Sequence, residues 1–264
     1  MRAEEKRSTM AAELSASEIK RMGEQMIAIL GLKGSPVGVR VLPPGVPCPD
    51  PAERLVQHRY CQAVMKARHG GNVVLDAEGI SCPAAAAAFG FRPLPAQLRS
   101  GKGLVGFGIV SDPAVGKKMF DDMPKLEPGS VGALHLFPLD QAEQLPDIIV
   151  LEDAIESLMW IVLAYLHTTG CERVRGTTAV LQAVCADSTI IALVEQRLNF
   201  GYGCYGCREA SDIGPNETVL GFPVTLLPPI FEHLEFLNEK AIPASRSKRA
   251  LAALQQRERK AEGQ

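Results

Sequence analysis

The sequence predicts an α/β or α+β fold in which a mixed sheet, or more than one, is flanked by helices and in which two pseudo-repeated halves are an alternative. Predicted strands and predicted helices alternate along the chain. The strands are indicated by alternating or short apolar runs and the helices by helical periodicity. This order favours α/β or α+β over a helical bundle or a β-sandwich. Because 46% of the 264 residues are hydrophobic, the chain can bury a substantial core.

The first predicted elements are a helix, a strand and a second helix. Ser15 and Glu18 have the spacing of a capping box ahead of apolar residues that recur at helical spacing up to Gly31. The segment "SPVGVRVL" then reads as a strand that ends at two prolines. The segment "ERLVQHRYCQAVMKARHGG" predicts a second helix that carries Cys61 and ends at a glycine pair.

The stretch "GISCPAAAAAFGF" predicts a short helix with a cysteine at its start. Pro83 fits the first helical turn, and Gly90 ends the alanine run, so Cys82 lies at or next to the N-cap. Free backbone N–H groups at that position favour a thiolate over a thiol. Cys82 is therefore a candidate metal ligand or nucleophile.

The rest of the chain continues the alternation of strands and helices. "GLVGFGIV" reads as a strand, "DPAVGKKMFDDM" as a helix, "GALHLFPL" and "PDIIVLE" as strands, and "EDAIESLMWIVLAYLHTTG" as a helix. "TTAVLQAVCADSTIIALVEQRLNFG" predicts two helices broken near Asp187, a residue that first suggests an N-cap. A strand in "TVLGFPVTLL" and an amphipathic helix in "PIFEHLEFLNEKA" complete the order.

Three short matches indicate a degenerate internal duplication. "CQAVMKA" resembles "LQAVCAD", "GISC" resembles "GYGC", and "GFGIV" resembles "GFPVT", each pair about 115 to 122 residues apart. We therefore expect a single domain over residues 18–240, built of halves at about 18–140 and 141–240. A disordered N-terminal arm over 1–17 and a basic tail over 241–264, solvated or fraying as a helix, would flank it.

Charge and hydropathy exclude several classes of protein. A formal net charge of -2 gives no reason to expect a nucleic-acid partner. The longest apolar run, "LMWIVLAYL", is about half of the roughly 18 residues that a membrane span needs. The N-terminus has no apolar segment behind its charges, so no secretory signal is visible and a cytoplasmic location is expected.

The main chemical signal is the turn "NFGYGCYGCRE" over residues 199–209, which places Cys204 and Cys207 three positions apart. In a reducing compartment the seven cysteines stay free for metal binding, catalysis or packing. The glycines between the two cysteines disfavour a regular helix of the thioredoxin type. A closed zinc site would need a second close pair of ligands, which the scattered histidines do not provide.

An iron-sulfur cluster, of the 4Fe-4S type, accounts best for the pattern. Such a cluster needs about four thiolates, and bare glycine backbone lets N–H groups approach its sulfurs. Cys82, Cys204 and Cys207 are the predicted ligands, with Cys185 or Cys61 as the fourth; inert packing is an equal alternative for these last two.

Two residues beside the cysteine pair are further candidates for the cofactor site. Arg208 could balance the negative charge of a cluster or bind an anionic ligand, and a surface salt bridge is the alternative. Tyr205 could shield the cluster from water or simply pack.

Several ordered motifs together resemble domain-of-unknown-function family 169, a group of prokaryotic proteins frequent in anaerobes and archaea. They are "RYCQAV", "ISCPAAAAAFGF", "PDIIVLE", "VCADS" and "GYGCYGCREASDI", and the similarity covers about residues 18 to 230. The resemblance implies a cytoplasmic single-domain protein with cysteines in recurring motifs, matched here at Cys61, Cys82, Cys185 and Cys204.

The predicted function is electron transfer or redox chemistry on a small molecule at an iron-sulfur cluster, which would make an enzyme of this kind an oxidoreductase. The alternative is a two-lobed module that binds a small molecule or cofactor, with structural cysteines. A dithiol oxidoreductase that uses Cys204 and Cys207 without metal ranks third. The expected partners are a small-molecule substrate or a redox partner protein, with neither nucleic acid nor membrane; a homo-oligomer stays open.

Overall fold

A seven-stranded mixed sheet forms the middle layer of the protein in the computed structural model, which describes residues 14 to 262. The strands are β1 (Val37–Leu42), β2 (Glu53–Arg54), β3 (Val73–Asp76), β4 (Ala133–Pro138), β5 (Ile148–Ala154), β6 (Asn199–Gly201) and β7 (Glu217–Pro223). They lie in the order β2-β3-β4-β1-β5-β7-β6. Only the β2–β3 pair is parallel among the strand pairs of this sheet.

Helices cover both faces of the sheet. They are α1 (Ala16–Leu30), α2 (Tyr60–Arg68), α3 (Pro83–Ala88), α4 (Ala96–Arg99), α5 (Lys102–Gly106), α6 (Pro113–Asp121), α7 (Ile155–Thr168), a π-helix (Ala183–Ile190), α8 (Ile191–Glu195), α9 (Tyr205–Ala210), α10 (Leu227–Arg246) and α11 (Arg249–Glu262). Short 3₁₀ turns follow β4 and β7. The predicted α/β or α+β class with a mixed sheet and flanking helices is confirmed.

Alternation along the strands separates two cores. In β5, Ile148 and Val150 pack on one face of the sheet, whereas Ile149 and Leu151 pack on the other. The first face is covered by α2, α3, α4 to α6, the π-helix and α9, and we call it the cysteine face because it carries the cysteines discussed below. The second face is covered by α1, α7 and α10.

The two predicted halves of the chain occupy the two ends of the sheet. Strands β1 to β4, all before residue 140, are contiguous, and β5 to β7, all after it, are contiguous beside them. The two groups join where β1 pairs with β5 antiparallel, with Val37 opposite Val150. The internal duplication stays a prediction, and of its three pairs "GFGIV" and "GFPVT" adopt different structures, α5 with its following turn and β7.

Both ends of the described chain are helical. Residues 1–13 of the expected disordered arm lie outside the described residues, and α1 begins at Ala16 behind the predicted capping box, in which Ser15 Oγ accepts from Glu18 N–H. Helix α10 continues past residue 240 to Arg246, and the basic α11 buries no residue; the predicted boundaries of the domain and its tail stay predictions. No helix between residues 14 and 262 has the length and apolarity to cross a membrane.

Two element predictions in the first half are wrong. The segment expected to begin the second helix instead forms β2, and α2 starts only at Tyr60, because Glu53 pairs with Val73 at the sheet edge. "GLVGFGIV", expected as a strand, forms α5 and a turn. A Cβ on Gly116 would lie 2.9 Å from the backbone oxygen of Gly101. Because Gly116 has no Cβ, the start of α5 can pack closely against α6.

The segment predicted as two helices broken near Asp187 is also different. A π-helix over Ala183–Ile190 runs directly into α8, and Asp187 lies in its middle rather than at a break. All eight residues of the π-helix are buried between the sheet and α2 and α3. Its backbone rests on β7, where the carbonyl oxygen of Ser188 lies 1.7 Å from where a Cβ of Gly221 would sit. A π-helix is rare and often marks a functional site.

Candidate functional site

One cavity of about 600 Å³ on the cysteine face is lined by five of the seven cysteines. They are the five that the sequence singled out: Cys61, Cys82, Cys185, Cys204 and Cys207. All seven cysteines are free thiols; Cys48 and Cys171 do not line this cavity. Residues as far apart as 61 and 207 in the chain thus meet at one place.

Four helical elements bring these cysteines together. Cys61 lies in the first turn of α2, Cys82 is the N-cap of α3, Cys185 lies in the π-helix, and Cys204 is the N-cap of α9 with Cys207 two residues inside it. The π-helix packs against both α2 and α3, and α9 packs against α2. The cavity therefore lies at the junction of these four elements. Its cysteines are held by packed helices rather than by a loose loop.

The glycine-rich turn forms a helix start, contrary to the expectation that its glycines disfavour one. Gly203 has φ +77° and precedes the N-cap, so the left-handed residue turns the chain into α9 instead of interrupting it. Gly206 lies inside the helix, where a Cβ would meet only Arg59 Nη1 at 3.7 Å and Cys204 Sγ at 4.0 Å. As a result, both thiols lie at the start of the same helix, with Cys204 at the N-cap and Cys207 in the first turn.

Cys204 is the thiol of the pair that ionises most readily. Hydrogen bonding from the Cys207 thiol lowers the pKa of Cys204 to about 5, against the opposing effect of burial, and backbone N–H groups of Ala183, Cys207 and Gly206 add to the lowering. The pKa of Cys207 is raised, because it is the donor in this pair and is buried beside the Cys204 thiolate. One thiolate and one thiol is thus the resting state of the pair.

The other buried thiols resist ionisation. Burial raises the pKa of Cys61 to about 12, and the charges of Cys204 and Glu152 add to the shift. Burial also raises the pKa of Cys185 well above its ordinary value, with further contributions from Cys82, Cys204 and Cys61. These thiols therefore lie near enough for the negative charge of one to disfavour ionisation of another. A cation among them would favour the thiolate forms instead.

The two predicted cofactor-binding residues lie in different places. Tyr205 lines the cavity at its mouth and is 59% exposed. Arg208 does not line it; its guanidinium donates to the backbone carbonyls of Tyr202, Gly214 and Glu217, at 2.8 Å for Gly214 and 3.0 Å for Glu217. Arg208 thereby ties α9 to the start of β7.

A second arginine, which sequence reasoning did not single out, lies at the cavity itself. Arg59 precedes α2 and lines the cavity, with Nη1 donating to the carbonyl of Gly206 at 2.9 Å and to Glu209 at 2.7 Å. Arg59 is the first residue of the "RYCQAV" motif, and this position was the sequence signal that could have pointed to it. Arg59 joins α9 to α2 and places a positive charge beside the thiols.

An apolar part of the cavity wall comes from a separate group of elements. Helices α4, α5 and α6 pack against one another and with the following turns contribute a set of apolar side chains: Leu98, Leu104, Phe107, Ile109 and Phe120. Phe107 is 64% exposed although it is aromatic. Leu104, Phe107 and Ile109 of this wall belong to the segment that the sequence pattern wrongly predicted as a strand.

A buried acid lies behind the cavity on the cysteine face. Glu152 in β5 follows Ile148 and Val150 in the alternation, and neither of its carboxyl oxygens has a hydrogen-bond partner within residues 14–262. Burial raises the pKa of Glu152 to about 8, against the effect of Arg68, while Asp212, Glu217 and Cys204 raise it further. A charged residue inside the apolar strand "DIIVLE" was the sequence signal for this group.

The cavity gathers thiols but has no preformed site for a single metal ion in the part of the chain that the structure describes. Between residues 14 and 262, no group of three or more His, Cys, Asp or Glu side chains is arranged to hold a metal ion. A zinc ion would draw its thiolates to about 2.3 Å each, and thus close together. The ligands of a cubane cluster lie farther apart, around several iron atoms. Five thiols line this one cavity.

The chain resembles proteins whose function has not been characterised. A family model described as DUF169, uncharacterised ArCR, matches residues 25–233. An uncharacterised protein of Methanocaldococcus jannaschii is 27% identical over 229 residues, which cover 86% of this chain and 97% of that protein. No solved structure matches the chain.

Proposed function

The chain belongs to domain-of-unknown-function family 169, uncharacterised ArCR, and from this premise we propose that it binds an iron-sulfur cluster and acts in electron transfer or redox chemistry on a small molecule. The observation that carries the proposal is the convergence of Cys61, Cys82, Cys185, Cys204 and Cys207 on one cavity. Iron-sulfur clusters are held by cysteine thiolates, and five thiols at one cavity supply the four that such a cluster needs.

The ionisation of these thiols supports a cationic occupant. Cys204 carries a lowered pKa, whereas Cys61, Cys185 and Cys207 carry raised ones. Thiolates bind metal, so the three thiols would release their protons on binding. A bound cluster supplies one-electron transfer at a potential set by its surroundings.

The residues of the chain would hold and tune this site in distinct ways. Cys82, Cys204 and Cys207 are the primary ligands, and either Cys61 or Cys185 is the fourth. Cys207 lines the cavity, and its Sγ accepts a hydrogen bond from Cys204 N–H at 2.8 Å. Arg59 would offset negative charge at the mouth, and the apolar wall from α4 to α6 would limit water.

A second candidate function is a small-molecule binding module in which the cysteines are structural. The size and apolar wall of the cavity favour it, since ligand pockets of roughly 300 to 1,000 Å³ with few polar groups are typical. In this case the cavity of about 600 Å³ would accept an organic ligand in place of a cluster.

Anaerobic purification, followed by reconstitution with ferrous iron and sulfide, separates the two candidates. A cluster protein would be brown, absorb broadly near 400 nm and contain about four irons and four sulfides per chain. The variants Cys82→Ser, Cys204→Ser and Cys207→Ser would lose this iron, and comparison of Cys61→Ser with Cys185→Ser would identify the fourth ligand.

Matched controls come from the two cysteines outside the cavity. Cys48→Ser and Cys171→Ser remove a thiol without touching the cavity and would retain full iron and sulfide. A colourless wild-type protein without iron, or equal iron loss in cavity and control variants, would contradict the proposal and favour the binding module.

A further inference from the structure

We propose that the apolar part of the cavity binds a small organic acid, with a compact aromatic or aliphatic body against α4 to α6 and its carboxylate on Arg59. This inference rests on the proposed function only for the reaction that the acid would undergo; binding itself is independent of a cluster. It names the substrate class of the same cavity.

The shape of the cavity supports two compartments. The thiols come from α2, α3, the π-helix and α9, which pack on one another, whereas the apolar wall comes from α4, α5 and α6, which form a second packed group. A cubane cluster is only a few ångström across, so it would fill the thiol side of a cavity of about 600 Å³ and leave the apolar side open. An apolar body of the size of a phenyl ring fits that remainder.

Arg59 provides the polar recognition. Its Nη1 donates to the carbonyl of Gly206 and to the carboxylate of Glu209, whereas Nε and Nη2 have no hydrogen-bond partner within the described chain. The side chain is 37% exposed, and the residue lines the cavity. The free Nε–Nη2 edge is a fork that a carboxylate binds with two parallel hydrogen bonds.

The charge at the mouth is consistent with one added anion. Glu209 also lines the cavity, but it is already paired with Nη1 of Arg59 at 2.7 Å. Gln97 and Gln182, the other large polar side chains of the lining, are neutral and able to donate to an acceptor. Exposed Phe107 lies at the open side, where it would cover the body of a bound acid.

The test uses the metal-free full-length protein, kept reduced, with phenylacetate and hexanoate as probes and their primary amides as matched neutral analogues. Calorimetry would measure Kd for each. We expect the acids to bind about tenfold more tightly than the amides, since only the carboxylate uses both free nitrogens of Arg59. Phe107→Ala would weaken both acids several-fold, because it removes apolar contact at an exposed position.

Two arginine variants test the head group. Arg59→Gln would remove the preference for acids, and Arg59→Lys, which keeps a positive charge for Glu209, would also remove most of it because lysine has no fork. Arg99→Gln on α4, an arginine beside Gln97 and Leu98 that does not line the cavity, would leave Kd unchanged. Circular dichroism would verify that each variant is folded.

Equal affinity for acids and amides, binding that survives both Arg59 variants, or no binding of any probe would overturn the inference. The two proposals fail separately. A protein that binds the acids but takes up no iron would end the cluster proposal and leave the acid site, whereas a brown protein indifferent to the acids would do the reverse.

Discussion

Cys204 and Cys207 form a reciprocal pair of hydrogen bonds at the start of α9. The backbone N–H of Cys204 donates to Sγ of Cys207 at 2.8 Å, and the backbone N–H of Cys207 donates to Sγ of Cys204 at 3.4 Å. This is the geometry of a capping box, with thiols in the places usually taken by serine and glutamate. The pair therefore stabilises the helix start and polarises one thiol at the same time.

The first prediction concerns the reactivity of Cys204 in the metal-free protein. Cys207→Ala removes the thiol that lowers the pKa of Cys204, so that pKa rises and the thiolate fraction at pH 6 falls. Each unit by which the pKa exceeds the pH lowers the thiolate fraction about tenfold. Alkylation by iodoacetamide as a function of pH, in a background with Cys48→Ser and Cys171→Ser, would measure the change. Equal rates at pH 6 with and without Cys207 would show that the hydrogen bond does not act on Cys204.

Local signals predicted one part of this site, and tertiary contacts decided the rest. Pro83 after Cys82 revealed an N-cap because proline at the first helical position is a local preference. The sequence could not decide between Cys61 and Cys185 as the fourth ligand, because the position of each depends on how α2 packs on the π-helix. Both cysteines line the cavity. Sequence reasoning did not single out Glu152, although it is a charged residue in an apolar strand, and the face that it joins follows only from the register of β5.

The second prediction tests the close contact between the π-helix and β7. Gly221→Ala would place a Cβ 1.7 Å from the carbonyl oxygen of Ser188, so the buried π-helix would have to move. We expect a loss of about 3 kcal/mol or more in the free energy of unfolding, as for overpacking of a rigid core. Urea unfolding would measure it.

Gly106 provides the matched control for that substitution. A Cβ there would meet no atom within 4 Å, and its backbone is helical in α5, so Gly106→Ala should be neutral or stabilise by up to about 1 kcal/mol. A similar effect of the two substitutions would contradict the close packing of the π-helix.

The third prediction concerns the contact that joins α2 to the π-helix. Thr189 Oγ1 donates to the carbonyl of Val184 at 2.8 Å, so the buried hydroxyl of Tyr60 donates to Thr189 at 2.9 Å. Tyr60→Phe leaves this acceptor without its donor and should cost about 1 kcal/mol of stability. Thermal unfolding would detect it, and Tyr202→Phe, at a 61% exposed position, should have no effect. A fall of the same size in both variants would exclude a specific role for the Tyr60 hydroxyl.

The fourth prediction is a pH dependence that arises from Glu152. Burial raises its pKa from the ordinary 4.5 to about 8, modulated by Arg68, Asp212, Glu217 and Cys204. Below pH 4.5 the carboxyl is protonated in both the folded and the unfolded chain and has no net effect. As the pH rises from 4.5 to 8, the unfolded carboxyl ionises while the folded one does not, so the folded state loses stability, by at most about 1.4 kcal/mol per pH unit.

Glu152→Gln removes this penalty while it keeps the size of the side chain. Its advantage over the wild type should be close to zero at pH 4, grow steadily toward pH 8 and then level off, reaching on the order of a few kcal/mol. Urea unfolding of both proteins across pH 4 to 9 would follow the difference. An advantage that is constant across this range would mean that the substitution changes packing alone and that Glu152 titrates normally in the folded protein.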